Sequence, residues 1–227
     1  MMNKVLCSLL LFLSISCGLQ GRNANYARDS KRIWLDSKEI HHGEYVWKMK
    51  KAGDVISSAE KVSTLGYDTS DWLSAIVPGT VLNSLVYNKE YPEPYYGVNN
   101  KLESGKIPDI SKVGREFYTY WFRTEFDVPE SFAGKTIWLQ PDGVNYRAEI
   151  WVNGNLLSTL NGMFISDYIN VTDFVKVGRK NILAVKVYPV DVPGTTMPKS
   201  WGATGEFHNG GNGNIGLNTT MLMSVGW

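Results

Sequence analysis

Between Tyr118 and Val128 the chain alternates without a break. Tyr118, Tyr120, Phe122, Thr124, Phe126 and Val128 fall on one side, and Thr119, Trp121, Arg123, Glu125 and Asp127 on the other. Successive side chains of a strand point to opposite faces, so this period of two predicts a half-buried β-strand. Ala148, Ile150 and Val152 alternate with Arg147, Glu149 and Trp151 in the same way, and Asn153-Gly154 then supplies a hairpin-turn signal. Tyr45–Met49, Lys135–Gln140 and Ile182–Tyr188 read as further strands. Several short strands at this spacing, with no internal repeat and no heptad, predict an all-β sandwich or barrel.

Helix signals are sparse. Thr80, following Pro78-Gly79, is a good N-cap, and Val81, Leu82, Leu85 and Val86 form an apolar stripe at helical spacing. One short helix of about two turns is expected there. Thr172-Asp173-Phe174-Val175 reads as one capped turn. Tyr91 to Asn100, with two prolines, a glycine and paired asparagines, predicts a loop, and residues 101–116 continue it. A loop of that length in a compact domain is usually functional or disordered. From Pro189 the character changes again. Gly205 to Gly216 is dense in glycine and asparagine, too flexible for a core strand. Thr219 to Val225 is a new apolar run, and a chain ending at Trp227, directly after it, reads as a truncated domain or fragment.

The amino terminus is a targeting segment. Lys4 precedes an apolar run from Val5 to Ile15, too short to span a membrane as a helix and right for the apolar part of a signal peptide. Cys17 follows small residues and is a candidate for lipid attachment, with ordinary cleavage nearby as the alternative; Ser14 stands where a lipoprotein signal usually has Leu. Residues 1–17 are thus assigned to the signal, 18–32 to a flexible linker and 33–227 to one domain. Export follows, to the periplasm, the outer membrane or cell surface as a lipoprotein, or the medium. The only two cysteines, Cys7 and Cys17, belong to this segment, so the mature domain depends on core burial and not on disulfides. A formal charge of +1 gives no electrostatic reason for a nucleic-acid partner, and a membrane is approached only through the lipid.

With the strands and loops placed, a family resemblance emerges. Asp142-Gly143-Val144-Asn145-Tyr146-Arg147-Ala148-Glu149-Ile150-Trp151-Val152-Asn153-Gly154 resembles the central signature of the N-terminal sugar-binding domain of glycoside hydrolase family 2. Val77-Pro78-Gly79-Thr80-Val81, Tyr95-Tyr96-Gly97-Val98-Asn99-Asn100, Asn170-Val171-Thr172 and Asn181-Ile182-Leu183-Ala184-Val185 match in order around it. Trp72-Leu73 and the Tyr95–Asn100 pattern are most similar to the β-mannosidase and exo-β-glucosaminidase branch. The resemblance implies a galactose-binding-like jelly roll, followed in the family by an immunoglobulin-like domain and a catalytic barrel. That barrel carries the two glutamates of a retaining mechanism, which needs carboxyl groups about 5 Å apart. No residue here matches that pair, so the expectation is a domain of an exported retaining exo-β-glycosidase that holds β-linked glycan without cutting it. Its partners would be carbohydrate and the remaining domains of the parent. A stand-alone carbohydrate-binding module and a structural or interaction domain are the alternatives.

The resemblance points to Tyr95, Tyr96, Asn99 and Asn100 as sugar contacts, because amide side chains can bond hydroxyls in both directions; the competing reading of Asn99 and Asn100 is that they cap local turns. Trp201 and His208 are candidates for the same cleft, with disorder or simple packing as the favoured reading. Asp142, Asn145 and Arg147 are expected to form a structural knot, in which losing one partner would cost about 3 kcal/mol or more. Trp121 and Trp151 lie opposite the core alternation, where sugar stacking or, better, packing on a neighbouring domain would cover them. Glu125 and Glu149 are expected as solvated charges. No cofactor is called for, and the adjacent His41 and His42 give little support for a metal site.

Overall fold

The computed structural model describes residues 32–99, 101–108, 113, 115–162 and 165–189, together with the backbone of 4–9. Two sheets face each other. The larger has six strands: β2 (Trp47–Lys51), β3 (Leu73–Ser74), β4 (Tyr120–Asp127), β6 (Arg147–Val152), β7 (Asn155–Asn161) and β9 (Lys180–Tyr188). Their order is β3-β2-β4-β9-β6-β7, antiparallel throughout. In the smaller sheet β5 (Thr136–Pro141) lies between the parallel backbone of β1 (Lys4–Leu9) and the antiparallel β8 (Ile169–Asn170). The domain is a mostly-sheet sandwich with few short helices, as the alternation predicted.

The core alternation lands where the pattern puts it. Phe122, Phe126, Ile137, Leu139, Ala148, Ile150, Val152, Leu183, Val185 and Val187 meet between the sheets, each at most 4% exposed. Burying one such large side chain stabilises by about 1.5–3 kcal/mol. Trp47 is wholly buried among them, and its indole nitrogen donates to Leu35 O at 2.6 Å, so its one polar atom is satisfied.

The expected helix is α2 (Val81–Tyr87), with the Thr80 hydroxyl accepting from Asn83 N at 2.8 Å. A single-turn helix, α1 (Ala59–Val62), was not read from the sequence; Ser58 Oγ caps it, accepting from Lys61 N. The hairpin after β6 turns through Asn153 and Gly154 at φ +47° and +89°, the left-handed pair such a turn requires. The Asn153 side chain locks this turn to the chain entering β9. Its oxygen accepts from Ile182 N at 2.9 Å, and its nitrogen donates to Asn181 Oδ1 at 2.8 Å and Phe174 O at 2.7 Å. Asn181, wholly buried, spends the rest of its amide on Lys176 and Arg179 backbone groups at 2.7–2.9 Å.

The outer face of the large sheet corrects an expectation. Trp121 and Trp151 are 3% and 8% exposed, and what covers them is the chain itself. Val62 and Trp72, with Val55, Ala59 and Tyr67 at the margin, close a second small core over them and Ala184. The segment between β2 and β3 thus provides the cover that the sequence had assigned to a neighbouring domain. Arg123, 3% exposed, fastens it: its guanidinium donates to Val62 O and Thr64 O, both at 3.0 Å, at and just past the carboxyl end of α1. Gly154 N donates to Ser63 O between them. Arginine suits this place, because carbonyls at a helix end lack intrahelical partners.

Candidate functional site

The long loop after α2 begins in the core and then leaves it. Tyr91 packs on the sandwich beside Tyr118 and Tyr120. Burial pushes all three phenols up, that of Tyr120 to about 12, so they are neutral apolar anchors at physiological pH. From Glu93 the chain folds on itself. The Glu93 carboxylate accepts from Tyr95 N at 3.3 Å, and Glu93 O accepts from Tyr96 N at 3.2 Å. Gly97 takes φ +60°, a conformation that costs other residues energy and lets the loop reverse. Tyr95 and Tyr96, on the crest of that reversal, are 73% and 77% exposed, with Val98 beside them at 52%.

Asn99 is not at the crest. It is 6% exposed and points inward. Its amide nitrogen donates to Glu93 O at 2.9 Å, and its oxygen accepts from Lys106 Nζ at 2.8 Å. Its backbone N donates to Tyr96 O, and its backbone O accepts from Ser104 Oγ at 3.1 Å. The Asn99 side chain is committed to building the loop, as in the turn-capping alternative to a sugar contact. Glu93, Ser104 and Lys106, which make those bonds, were not singled out in the sequence, where nothing in the spacing of Asn99 and Lys106 marks them as partners. Asn100, Trp201, His208 and Cys17 lie outside the described residues, as do the rest of the tail from 190 and nearly all of the segments assigned to signal and linker.

The signature strand β6 and its approach divide differently from expectation. Asp142 is half-buried; burial raises its carboxyl above the usual range, opposed by the charge of Arg32 and a hydrogen bond from Gln140. Asn145 is buried, and Arg147 sits with its guanidinium carbon 5.9 Å from the centre of the Tyr188 ring. The Tyr188 hydroxyl donates to Glu149 Oε1 at 2.5 Å, and the Trp151 indole donates to Glu149 Oε2 at 3.2 Å. Glu149 is thus a bonded element of the sheet's outer face and not the free solvated charge expected. Glu125 stays nearer that description, 3.5 Å from Lys180 and 3.7 Å from Arg123. The arrangement can hold a ring by apolar contact at the loop crest, and Glu149 is engaged in holding the sheet.

Comparison with known proteins agrees with this architecture. The family model described as "Glycosyl hydrolase 2 galactose-binding domain-like" matches residues 47–227. A mannosylglycoprotein endo-beta-mannosidase of Lilium longiflorum is 38% identical over 70% of this chain and 15% of its own length. An exo-beta-D-glucosaminidase of Amycolatopsis orientalis is 29% identical over 64% of this chain and 13% of its own. The crystal structure of Amycolatopsis orientalis exo-chitosanase CsxA superposes with a TM-score of 0.53 at 28% identity, covering 64% of this chain and 16% of that one. The chain spans about one-seventh of the length of these relatives. With the sandwich, the signature strand and the family match in agreement over most of its length, the chain belongs to the galactose-binding-like N-terminal domains of glycoside hydrolase family 2.

Proposed function

We propose that this domain offers β-linked glycan a binding surface on its 93–106 loop, as part of an exported, retaining β-glycosidase whose catalytic carboxylates belong to other domains. The observation that carries this is the pair of tyrosine rings, 73% and 77% exposed, standing on a loop tied down beneath them. An aromatic ring displayed on a rigid support gives a sugar ring an apolar contact at little entropic cost. The sugar class is mannosidic or glucosaminidic, on the strength of the two relatives' names. One of these is named endo-acting and the other exo-acting, so the proposal covers the sugar and not the end of the glycan attacked. Export rests on the apolar run after Lys4 and on Cys17.

Calorimetric titration with β-linked mannose and glucosamine oligomers tests the reading. Measurable heats that vanish in Tyr96→Ala support it; no heat from either series overturns sugar binding and leaves the tyrosines as a surface for a neighbouring domain. Turnover of aryl β-mannoside or β-glucosaminide by the chain alone would refute the division of labour. Cell fractionation, with Cys17→Ser as control for lipid attachment, tests export.

A further inference from the structure

We infer that Lys106 is a positioning residue for Tyr95 and Tyr96, acting through its bond to the buried amide of Asn99; the inference rests on the glycan reading above. The geometry runs outward from Asn99. Every polar group of that residue is engaged within the loop, and the residue is 6% exposed. Its nitrogen and the Tyr96 backbone N–H converge on one acceptor, Glu93 O, which lies directly beneath the crest where the two rings stand. The position of the rings therefore follows the position of that amide.

What keeps the amide in place is the second half of the loop. Ser104 Oγ donates to Asn99 O and to Lys101 O, and it accepts from Lys106 N at 3.3 Å, which brings the lysine stem alongside. The ammonium then delivers a charge-assisted bond to Asn99 Oδ1 at 2.8 Å, the strongest class of bond in this loop. Among the described residues of 93–106 no strand ladder runs through to substitute for it; their backbone bonds are short-range turns. Loops held only by such turns open at little cost, whereas a side-chain tie across the loop narrows what the crest can sample. Lys106 itself is an exposed residue and belongs to neither hydrophobic core, so its tie to Asn99 is the contribution the structure assigns it.

The test compares Lys106→Met, Lys106→Arg and Tyr96→Ala in the full chain, reading amide hydrogen exchange over 93–106 and calorimetric affinity for β-linked mannose and glucosamine oligomers. Lys106→Met is expected to raise exchange at Asn99 and Ser104 and to weaken glycan binding by about tenfold, with the thermal midpoint unmoved. Lys106→Arg, which keeps a cationic donor, is expected to restore most of both. Unchanged exchange in Lys106→Met overturns the inference, and so does raised exchange with unchanged affinity while Tyr96→Ala loses binding. If Tyr96→Ala binds normally, it is the glycan reading that has failed, and the tie is then judged on exchange alone.

Discussion

Trp121 and Tyr96 look alike in the sequence, each a large aromatic outside the core alternation, yet one is 3% exposed and the other 77%. The difference lies in what the chain does elsewhere. Residues 52–72 cross over Trp121 and Trp151 and are pinned there by Arg123, while nothing among the described residues crosses over the crest of the 93–106 loop. An aromatic residue is a platform only where its own chain leaves it uncovered. The largest consequence is for stability. Trp121→Ala empties the second core and should cost about 3–5 kcal/mol in denaturant unfolding. A loss under about 1 kcal/mol would mean the cover is not packed in solution, and the contrast with Tyr96 would break.

Arg123 sharpens the same contrast from the polar side. Arg123→Met keeps the stem but leaves Val62 O and Thr64 O without their donor, at a cost of about 1–3 kcal/mol. Because the bond ties one segment to the sheet, that segment should loosen first. Trypsin is expected to cut at Lys61 under conditions where the wild-type chain resists, before the sandwich itself unfolds. Simultaneous loss of both would show that cover and sandwich form one cooperative unit.

How much of this was legible in advance follows from sequence distance. The core face of β4, the turn at Asn153-Gly154 and the capped helix at Thr80 were readable because each is written in consecutive residues. The cover over Trp121 was not, because Val62 and Trp72 reach it from about fifty residues upstream and α1, a single turn, has no periodicity to detect. The two readings of Asn99, sugar contact and turn cap, stayed open for the same reason: its amide is indistinguishable from a sugar ligand until Glu93 and Lys106 are seen to use it. The loop as a loop was plain from its prolines and glycine, while the inward turn of one side chain was not.

Asp142 lies between the extremes, half-covered, and its expected effect is smaller and opposite in sign to the sequence expectation. Burial raises its folded-state pKa above the ordinary 3.8, so the folded domain holds this proton more tightly than the unfolded chain does. Stability from this group is then greatest below that pH and is lost as pH rises to the folded-state value. At neutral pH the charged carboxylate is a burden, and Asp142→Asn should raise the thermal midpoint at pH 7, with the advantage disappearing in acid. A fall in midpoint at pH 7 would instead reveal a carboxylate pairing strong enough to outweigh burial, as the structural knot of Asp142, Asn145 and Arg147 requires.

The smallest expected effect is the most discriminating. Tyr95→Ala and Tyr96→Ala remove rings that the fold leaves in solvent, so each should shift unfolding by no more than about 0.5 kcal/mol, while Trp121→Ala is severe. A substitution that costs the fold nothing but removes a large ring must be answered for by what the ring touches in the working protein. Loss of glycan heat at unchanged stability would place that contact on sugar. Retained glycan heat at unchanged stability would place it on another protein surface, because two exposed aromatics held on a bonded loop are as well built for docking a domain as for docking a sugar. A loss of several kcal/mol from either tyrosine would deny the premise of the comparison, since it would require the crest to be buried against part of this same chain.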